Sequence, residues 1–360
     1  MPGPVLKVDK LFVDFPTKDG TVHAVRGVTA DLSPGEVLGI VGESGSGKSV
    51  TAMATMGLLP KGARVKGSVR FNDTELLGLK EKRLMPIRGK GIAMIFQDPM
   101  TSLNPVYSVG WQIAEAIRAH NDVSKDEAIA RAISLLHTVG IPNPEERVNS
   151  YPHEFSGGMR QRVVIAIAMA NDPDVILADE PTTALDVTVQ AQVLEALRTA
   201  LSETHAALLL ITHDLGVVAG LADRVLVMYA GRPVELGTVE DIFYRPAMPY
   251  TIGLLGSLPR LDSEGDERLR PIPGAPPSMV GNKVGCPFAP RCPLRQPICD
   301  REEPDLRAVP GDLDHLGNPH MAACHFADKV VTREMVPEFQ ATSVDVENLV
   351  PVPVGTETVP

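Results

Sequence analysis

The sequence predicts an α/β fold: a largely parallel sheet carrying a mostly helical insert, followed by a loop-rich, cysteine-containing C-terminal extension. Three observations carry this expectation. Short apolar runs alternate with helical patterns through residues 1–258, the order that sets parallel strands between helices. A glycine-rich loop joins one of these runs to a helix. All four cysteines fall between Cys286 and Cys324, where proline becomes frequent and periodicity fades.

The runs Val37–Val41, Ile92–Phe96, Val175–Ala178, Ala207–Thr212 and Val225–Met228 read as buried strands. Lys48–Leu59 and Val187–Leu201 read as helices, the second behind Asp186 as its N-cap. From about Asp98 to Asn171 no strand signal appears, and Trp111–His120 and Lys125–Val139 read as helices, so this stretch is the expected insert. Prolines then accumulate from about residue 259 (Pro271, Pro273, Pro276, Pro277, Pro287, Pro290, Pro293, Pro297). Residues 259–328 are expected to form the compact extension and 329–360 a flexible acidic tail.

The 360 residues suit about two domains of roughly 150 residues each. Hydrophobic residues make up 44% and charged residues 22%, as in soluble globular proteins. A net charge of -11 argues against nucleic acid as a partner, because phosphate binding rests on a basic surface. No apolar run approaches the roughly 18 residues that span a bilayer, and the N-terminus lacks a signal-peptide pattern. The expectation is a cytosolic protein whose membrane role, if any, needs partner chains.

Gly42-Glu43-Ser44-Gly45-Ser46-Gly47-Lys48-Ser49 fits the phosphate-loop spacing between a strand and a helix. Glycines let backbone N–H groups close around phosphates, and the helix N-terminus adds positive dipole. Lys48 can reach the β- and γ-phosphates of ATP, Ser49 can ligate Mg²⁺, and Val50 completes the nucleotide-binding run. The strand Val175–Ala178 ends in Asp179 and Glu180. Asp179 can hold the Mg²⁺ shell and Glu180 can act as general base on the attacking water.

Phe155-Ser156-Gly157-Gly158-Met159-Arg160-Gln161-Arg162 resembles the signature motif of the ABC ATPase family. A serine hydroxyl, glycine amides and a helix N-terminus there make a second anion site. The resemblance implies a P-loop ABC ATPase core and gives roles to further residues. Gln97 takes the place of the Q-loop glutamine, sensing Mg²⁺ or the attacking water. Ala184-Leu185-Asp186 matches the D-loop, His213 the switch histidine that meets the γ-phosphate, and Phe15 the aromatic that stacks on adenine. It also implies a head-to-tail pair of cassettes, each ATP lying between one subunit's phosphate loop and the other's Ser156, Gly157 and Gly158.

Phe96–Pro105, the signature run, Pro249-Tyr250-Thr251 with Leu254-Leu255 and the proline-rich cysteine extension resemble the oligopeptide/dipeptide/nickel importer branch over roughly residues 5–328. That branch implies a second, related ATPase chain, two transmembrane permeases, an extracytoplasmic solute-binding protein, and a place on the cytoplasmic face of the membrane. The alternative is a soluble ABC ATPase uncoupled from transport; such proteins usually carry coiled coils or two cassettes, which this chain lacks.

Cys286, Cys292, Cys299 and Cys324 suit a tetrahedral Zn²⁺ or an iron–sulfur cluster. The resemblance favours [4Fe-4S]; unliganded thiols and a redox or iron sensor remain open. The nearby His315, His320 and His325 are expected to be solvated surface residues rather than ligands.

Overall fold

The structure, a computed structural model, describes residues 3–183, 185–257, 272–281, 284–311, 313–315 and 317–335. Ala184 of the D-loop, Pro271 and residues 336–360 of the expected tail lie outside the described residues. The chain divides into two compact units. Of the described residues, the first takes those up to 213 with 226–233 and 276–281, and the second takes 214–225, 234–257, 272–275 and those from 284 on.

The first unit opens on a hairpin, β1 (Leu6–Thr17) and β2 (Gly20–Leu32). Leu6, Val8, Leu11 and Val13 of β1 are buried. The inward alternation survives a register shift between Val8 and Leu11, where Lys10 adopts φ 45° and acts as a bulge. Strand β3 (Val37–Val41) leads through the glycine-rich loop into α1 (Lys48–Thr55). Strands β4 (Arg64–Phe71) and β5 (Thr74–Glu75) return to the hairpin, giving an antiparallel sheet of order β2-β1-β4-β5 that the sequence reading did not contain. Helix α2 (Glu81–Leu84) precedes β6 (Ile92–Ile95).

Helices α3 (Pro99–Ser102), α4 (Val109–Arg118), α5 (Lys125–Thr138), α6 (Pro144–Arg147) and α7 (Gly157–Met169) fill residues 98–171 without a strand. Helix α4 buries Val109, Ile113 and Ile117, four residues apart along one face. Helix α5 begins with a capping box: the Ser124 hydroxyl accepts from Glu127 N while the Glu127 carboxylate accepts from Ser124 N. These bonds hold the Glu127 carboxyl below its ordinary pKa.

Strand β7 (Val175–Asp179), helix α8 (Val187–Thr204) and strand β8 (Ala207–Ile211) complete the core. Strands β3, β8, β7 and β6 lie side by side in parallel. Every residue of β3, β7 and β8 is buried, which explains their unbroken apolar runs. Each fully buried large aliphatic of these strands contributes roughly 1.5–3 kcal/mol. The four strands end in register, so the residues that follow them (Gly42, Gln97, Glu180, His213) gather at one edge, where ligands of open parallel sheets sit.

Helix α9 (Leu215–Leu221) is capped by Asp214, and the strand β9 (Arg224–Tyr229) is buried throughout. Strand β10 (Arg232–Thr238), helix α10 (Val239–Tyr244) and helix α11 (Pro249–Leu255) follow. In the second unit β10 pairs with β12 (Met321–Ala322), which pairs with β11 (Arg307–Ala308). Helix α12 (Ala327–Val331) enters the stretch expected to be tail, because Ala327 and Val330 are buried.

His320 corrects an expectation: it is not a solvated surface histidine. Just before β12, it is 5% exposed, with Nε2 2.8 Å from Glu235 Oε1 on β10 and Nδ1 3.9 Å from Asp241 Oδ1. Glu235 is fully buried and also accepts from Ala247 N. A Cβ at Gly237 would lie 2.8 Å from Asp241 Cβ and 3.0 Å from His320 Cδ2, so the pairing needs glycine there. His315 is exposed, and His325 is half-buried with Nε2 3.0 Å from Glu302 O.

Candidate active site

The phosphate loop is shaped by two glycines that no other residue could replace. Gly42 has φ 150°, and a Cβ there would lie 2.2 Å from Met228 O. Gly47 has φ 99°, and a Cβ there would lie 2.3 Å from Ala24 O. Both positions combine a left-handed backbone with close main-chain approach. Gly47 caps α1 without a side-chain bond, so the first-turn N–H groups face no side-chain acceptor. Ser46 Oγ is buried and has no hydrogen-bond partner among the described residues. Ser44 and Gly45 are exposed at the loop's tip. An open cradle of amides with an orphaned hydroxyl fits the phosphates of ATP.

Lys48 Nζ folds back onto the loop, donating to Gly42 O at 2.8 Å and Glu43 O at 3.1 Å. Burial pushes its ammonium below the ordinary lysine value, while Glu180, Asp179 and Glu43 pull the other way. Ser49 Oγ donates to Asp179 Oδ1 at 2.8 Å. Burial lifts the Asp179 carboxyl above its ordinary range; the Ser49 bond opposes this, Glu180 adds to it, and Lys48 opposes it. Lys48, Ser49 and Asp179 therefore form one linked group. Val50 follows, half-buried in α1.

Glu180 sits one residue past β7 with φ 49°. A left-handed backbone costs an L-residue about 1–2 kcal/mol, and here the Glu180 N–H donates to Ile211 O at 2.8 Å, pinning that conformation to the neighbouring strand. Its Oε2 receives Gln97 Nε2 at 3.1 Å and Thr183 Oγ1 at 2.8 Å, and His213 Nδ1 lies 3.4 Å away. Gln97 and His213 are exposed, so the carboxylate stands at an open edge, not in the core. One oxygen is thus oriented by three polar groups while solvent still reaches the cluster, as a general base on water requires. Thr183 was not foreseen from the sequence. Its only signal was a second hydroxyl residue in the Pro181-Thr182-Thr183 turn after the acidic pair.

The signature residues lie elsewhere on the unit. Ser156 caps α7, accepting from Met159 N, and Gly157 is exposed. Gly158 is buried so tightly that a Cβ would lie 2.1 Å from Val189 Cγ1 of α8. Asp186 caps α8, accepting from Val189 N at 3.0 Å. Among the described residues, no hydrogen bond joins Ser156, Gly157, Gly158 or Asp186 to the phosphate loop. Phe15 is half-buried on β1, opposite Val22 of β2.

Cys286, Cys292, Cys299 and Cys324 are all reduced thiols of the second unit and line one cavity with Met248, Phe288 and Phe326. Burial pushes the Cys292 thiol up to about 11 and the Cys324 thiol up to about 12. Among the described residues, no group of three or more His, Cys, Asp or Glu side chains is arranged to hold a metal ion. No helix among them is long and apolar enough to cross a membrane.

A parallel sheet whose strand ends carry a phosphate loop, an acidic pair, a glutamine and a histidine, with a capped Ser-Gly-Gly helix on the insert, is the arrangement of an ATP-binding cassette. Residues 25–183 match the ABC transporter family, and residues 234–299 match the C-terminal region of oligopeptide/dipeptide transporters. The dipeptide transport ATP-binding protein DppD of Bacillus subtilis is 56% identical over 302 residues, 83% of this chain and 90% of its own. The oligopeptide transport ATP-binding protein OppD of Salmonella typhimurium is 53% identical over 309 residues, 86% of this chain and 92% of its own. OppD of Mycobacterium tuberculosis is 56% identical over 331 residues, 92% of this chain, which spans 53% of that relative's length. Among solved structures, a dimeric ATP-binding cassette in a post-hydrolysis state bound to ADP and Pi superimposes with TM-score 0.58 at 26% identity, covering 65% of this chain and 98% of its own. The cassette cbiO1 of Clostridium perfringens, part of an ABC transporter complex, does so with TM-score 0.58 at 29% identity, covering 67% and 91%. The chain belongs to the ATP-binding proteins of the oligopeptide/dipeptide ABC transporter family.

Proposed function

We propose that the chain is the ATP-hydrolysing motor subunit of an importer for peptides or related solutes. The observation that carries this reading is the Glu180 carboxylate, held by Gln97 and Thr183 with His213 at 3.4 Å, at the strand edge beside the phosphate loop. In this reading the loop amides, Lys48 and Ser46 bind the triphosphate. Ser49, Asp179 and Gln97 hold Mg²⁺ and its water shell, Glu180 takes the proton of the attacking water, and His213 meets the γ-phosphate. Ser156, Gly157 and Gly158 serve the nucleotide of a second cassette, and Asp186 lies near that junction. Phe15 stacks on adenine.

The working assembly is a second ATPase chain, two permeases and an extracytoplasmic solute-binding protein, with this chain peripheral on the cytoplasmic face of the membrane. The match of residues 234–299 to the C-terminal region of oligopeptide/dipeptide transporters favours transport over a soluble ATPase. The test is Glu180→Gln in the assembled transporter: ATP affinity holds while turnover falls by about 10²–10⁴. Wild-type turnover in that variant would remove Glu180 from the mechanism.

We also assign the four thiols to one metal centre, [4Fe-4S] ahead of Zn²⁺. What supports this reading is that all four thiols line one cavity. Four thiolate ligands leave no open position, so the group would staple a loop-rich segment rather than react. Iron, sulfide and zinc analysis after anaerobic purification separates the two; a metal-free, folded extension excludes both.

A further inference from the structure

Residues 278–281 lie on the first unit, beside the hairpin that carries Phe15. His23 N donates to Met279 O at 2.9 Å, and Gly281 N donates to Thr21 O at 3.1 Å. Between these bonds Val280 forms an antiparallel bridge with Val22. Val22 is in turn the cross-strand partner of Phe15. Residues directly opposite in a ladder point to the same face of a sheet. Phe15, Val22 and Val280 therefore form one row of apolar side chains across β1, β2 and the bridged 278–281 segment.

The neighbourhood is built around that row. Gly20 has φ 125°, and a Cβ there would lie 3.1 Å from Val280 Cγ1, so the glycine makes room for the valine. On the next rung, Asp14 Oδ1 meets His23 Nδ1 at 2.6 Å, fixing the register on the side of Phe15 opposite the turn. Without the strap, β2 would present an unpaired edge at Thr21–His23 and the hairpin end would be two strands, a marginal unit in water.

We propose that this strap, with Val280 as its key side chain, positions Phe15 for the nucleotide base. The inference rests on the reading of Phe15 as the adenine platform. A stacking surface contributes most when it is held in place before the ligand arrives. The strap belongs to the C-terminal stretch by sequence, so the extension contributes to base binding without touching the phosphates.

The test compares ATP with inorganic tripolyphosphate, which has no base, by calorimetric titration of the full-length chain purified with its partner chains. Val280→Gly is expected to weaken ATP binding roughly tenfold, within the range of one lost base–aromatic stack. Tripolyphosphate affinity stays unchanged, and Val280→Ile retains ATP affinity. Phe15→Ala weakens ATP similarly, and the double variant is no weaker than Phe15→Ala alone. A loss in Phe15→Ala with none in Val280→Gly overturns the strap while leaving the platform standing. Unchanged ATP affinity in Phe15→Ala overturns the platform and the strap's role with it. An equal loss for tripolyphosphate in Val280→Gly also overturns the proposal, since the damage would then be general. Hydrogen exchange at the His23 amide gives a second readout: protection falls in Val280→Gly if the strap detaches, and unaltered protection together with lost ATP affinity counts against it.

Discussion

Ser49 on the first turn of α1 and Asp179 at the end of β7 are joined by a 2.8 Å hydrogen bond. The two groups that the proposed mechanism gives to Mg²⁺ thus hold each other. The bond only partly offsets the burial of the carboxylate, whose pKa remains raised.

That imbalance makes Asp179→Asn a two-sided prediction. A raised pKa means the folded state holds the proton more tightly than the unfolded chain. The favourable contribution is present below the unfolded carboxyl value, is lost as pH rises through the folded value, and becomes a cost at neutral pH. The asparagine variant is expected to show a small rise in melting temperature without nucleotide at pH 7.5. Its Mg²⁺-ATP affinity falls by about 10- to 100-fold. Thermal unfolding and nucleotide titration check both arms; a variant less stable than wild type would mean the Ser49 bond outweighs the burial.

Thr183 is expected to act by orienting Glu180. Thr183→Val removes the 2.8 Å donor to Oε2 and should lower kcat by roughly tenfold with KM for ATP nearly unchanged, since the interaction serves the chemical step. Thr183→Ser should recover most of the rate. Steady-state kinetics on both variants decide it: a valine variant that only raises KM assigns the hydroxyl to binding instead.

Gly158 is expected to be structural before it is functional. A methyl there would lie 2.1 Å from Val189 Cγ1, and such overpacking typically costs about 1–3 kcal/mol. Gly158→Ala should lower the melting temperature, and Val189→Ala in the same chain should restore it. If the double variant is as unstable as the single one, the α7–α8 contact is not the cause.

The thiols give a pH-dependent test. In metal-free, reduced protein, Cys292 and Cys324 are shifted to about 11 and about 12 by burial. At pH 8 both should react with iodoacetamide at least roughly a hundredfold more slowly than an unperturbed thiol, because only thiolate reacts. The rates should climb with pH up to those values. Folding favours the protonated thiols, so their contribution to stability is present below the ordinary thiol pKa and is lost as pH rises through about 11. Mass spectrometry of alkylated peptides reads this directly, and fast alkylation at pH 8 would contradict it.

Local chemistry was the most legible part of the sequence. The phosphate loop announces itself because backbone geometry demands Gly42 and Gly47 within a few residues, and the acidic pair because two carboxylates follow directly on an unbroken apolar run. The parallel strands were legible because burial on both faces leaves unbroken apolar runs. The β1–β2 hairpin was not, since the extra residue at Lys10 shifts the phase of the apolar alternation between Val8 and Leu11. His320 was misjudged for a related reason: its burial arises only when β12 pairs with β10, a contact 85 residues away in sequence. Thr183 had the residue type but no spacing rule to single it out. The composition shift near residue 258 also does not coincide with the division between the two units, because residues 234–257 side with the extension.

The buried pair of Glu235 and His320 constrains how the gene could be shortened or recombined. Ending translation where the prolines begin would remove His320 together with β12, leaving the β10 edge unpaired and Ala247 without its buried partners Val309, Ala322 and Ala327. A cassette cut at residue 258 would therefore be a damaged protein rather than a minimal one. Viable shuffling between relatives should take Glu235 and His320 from the same parent.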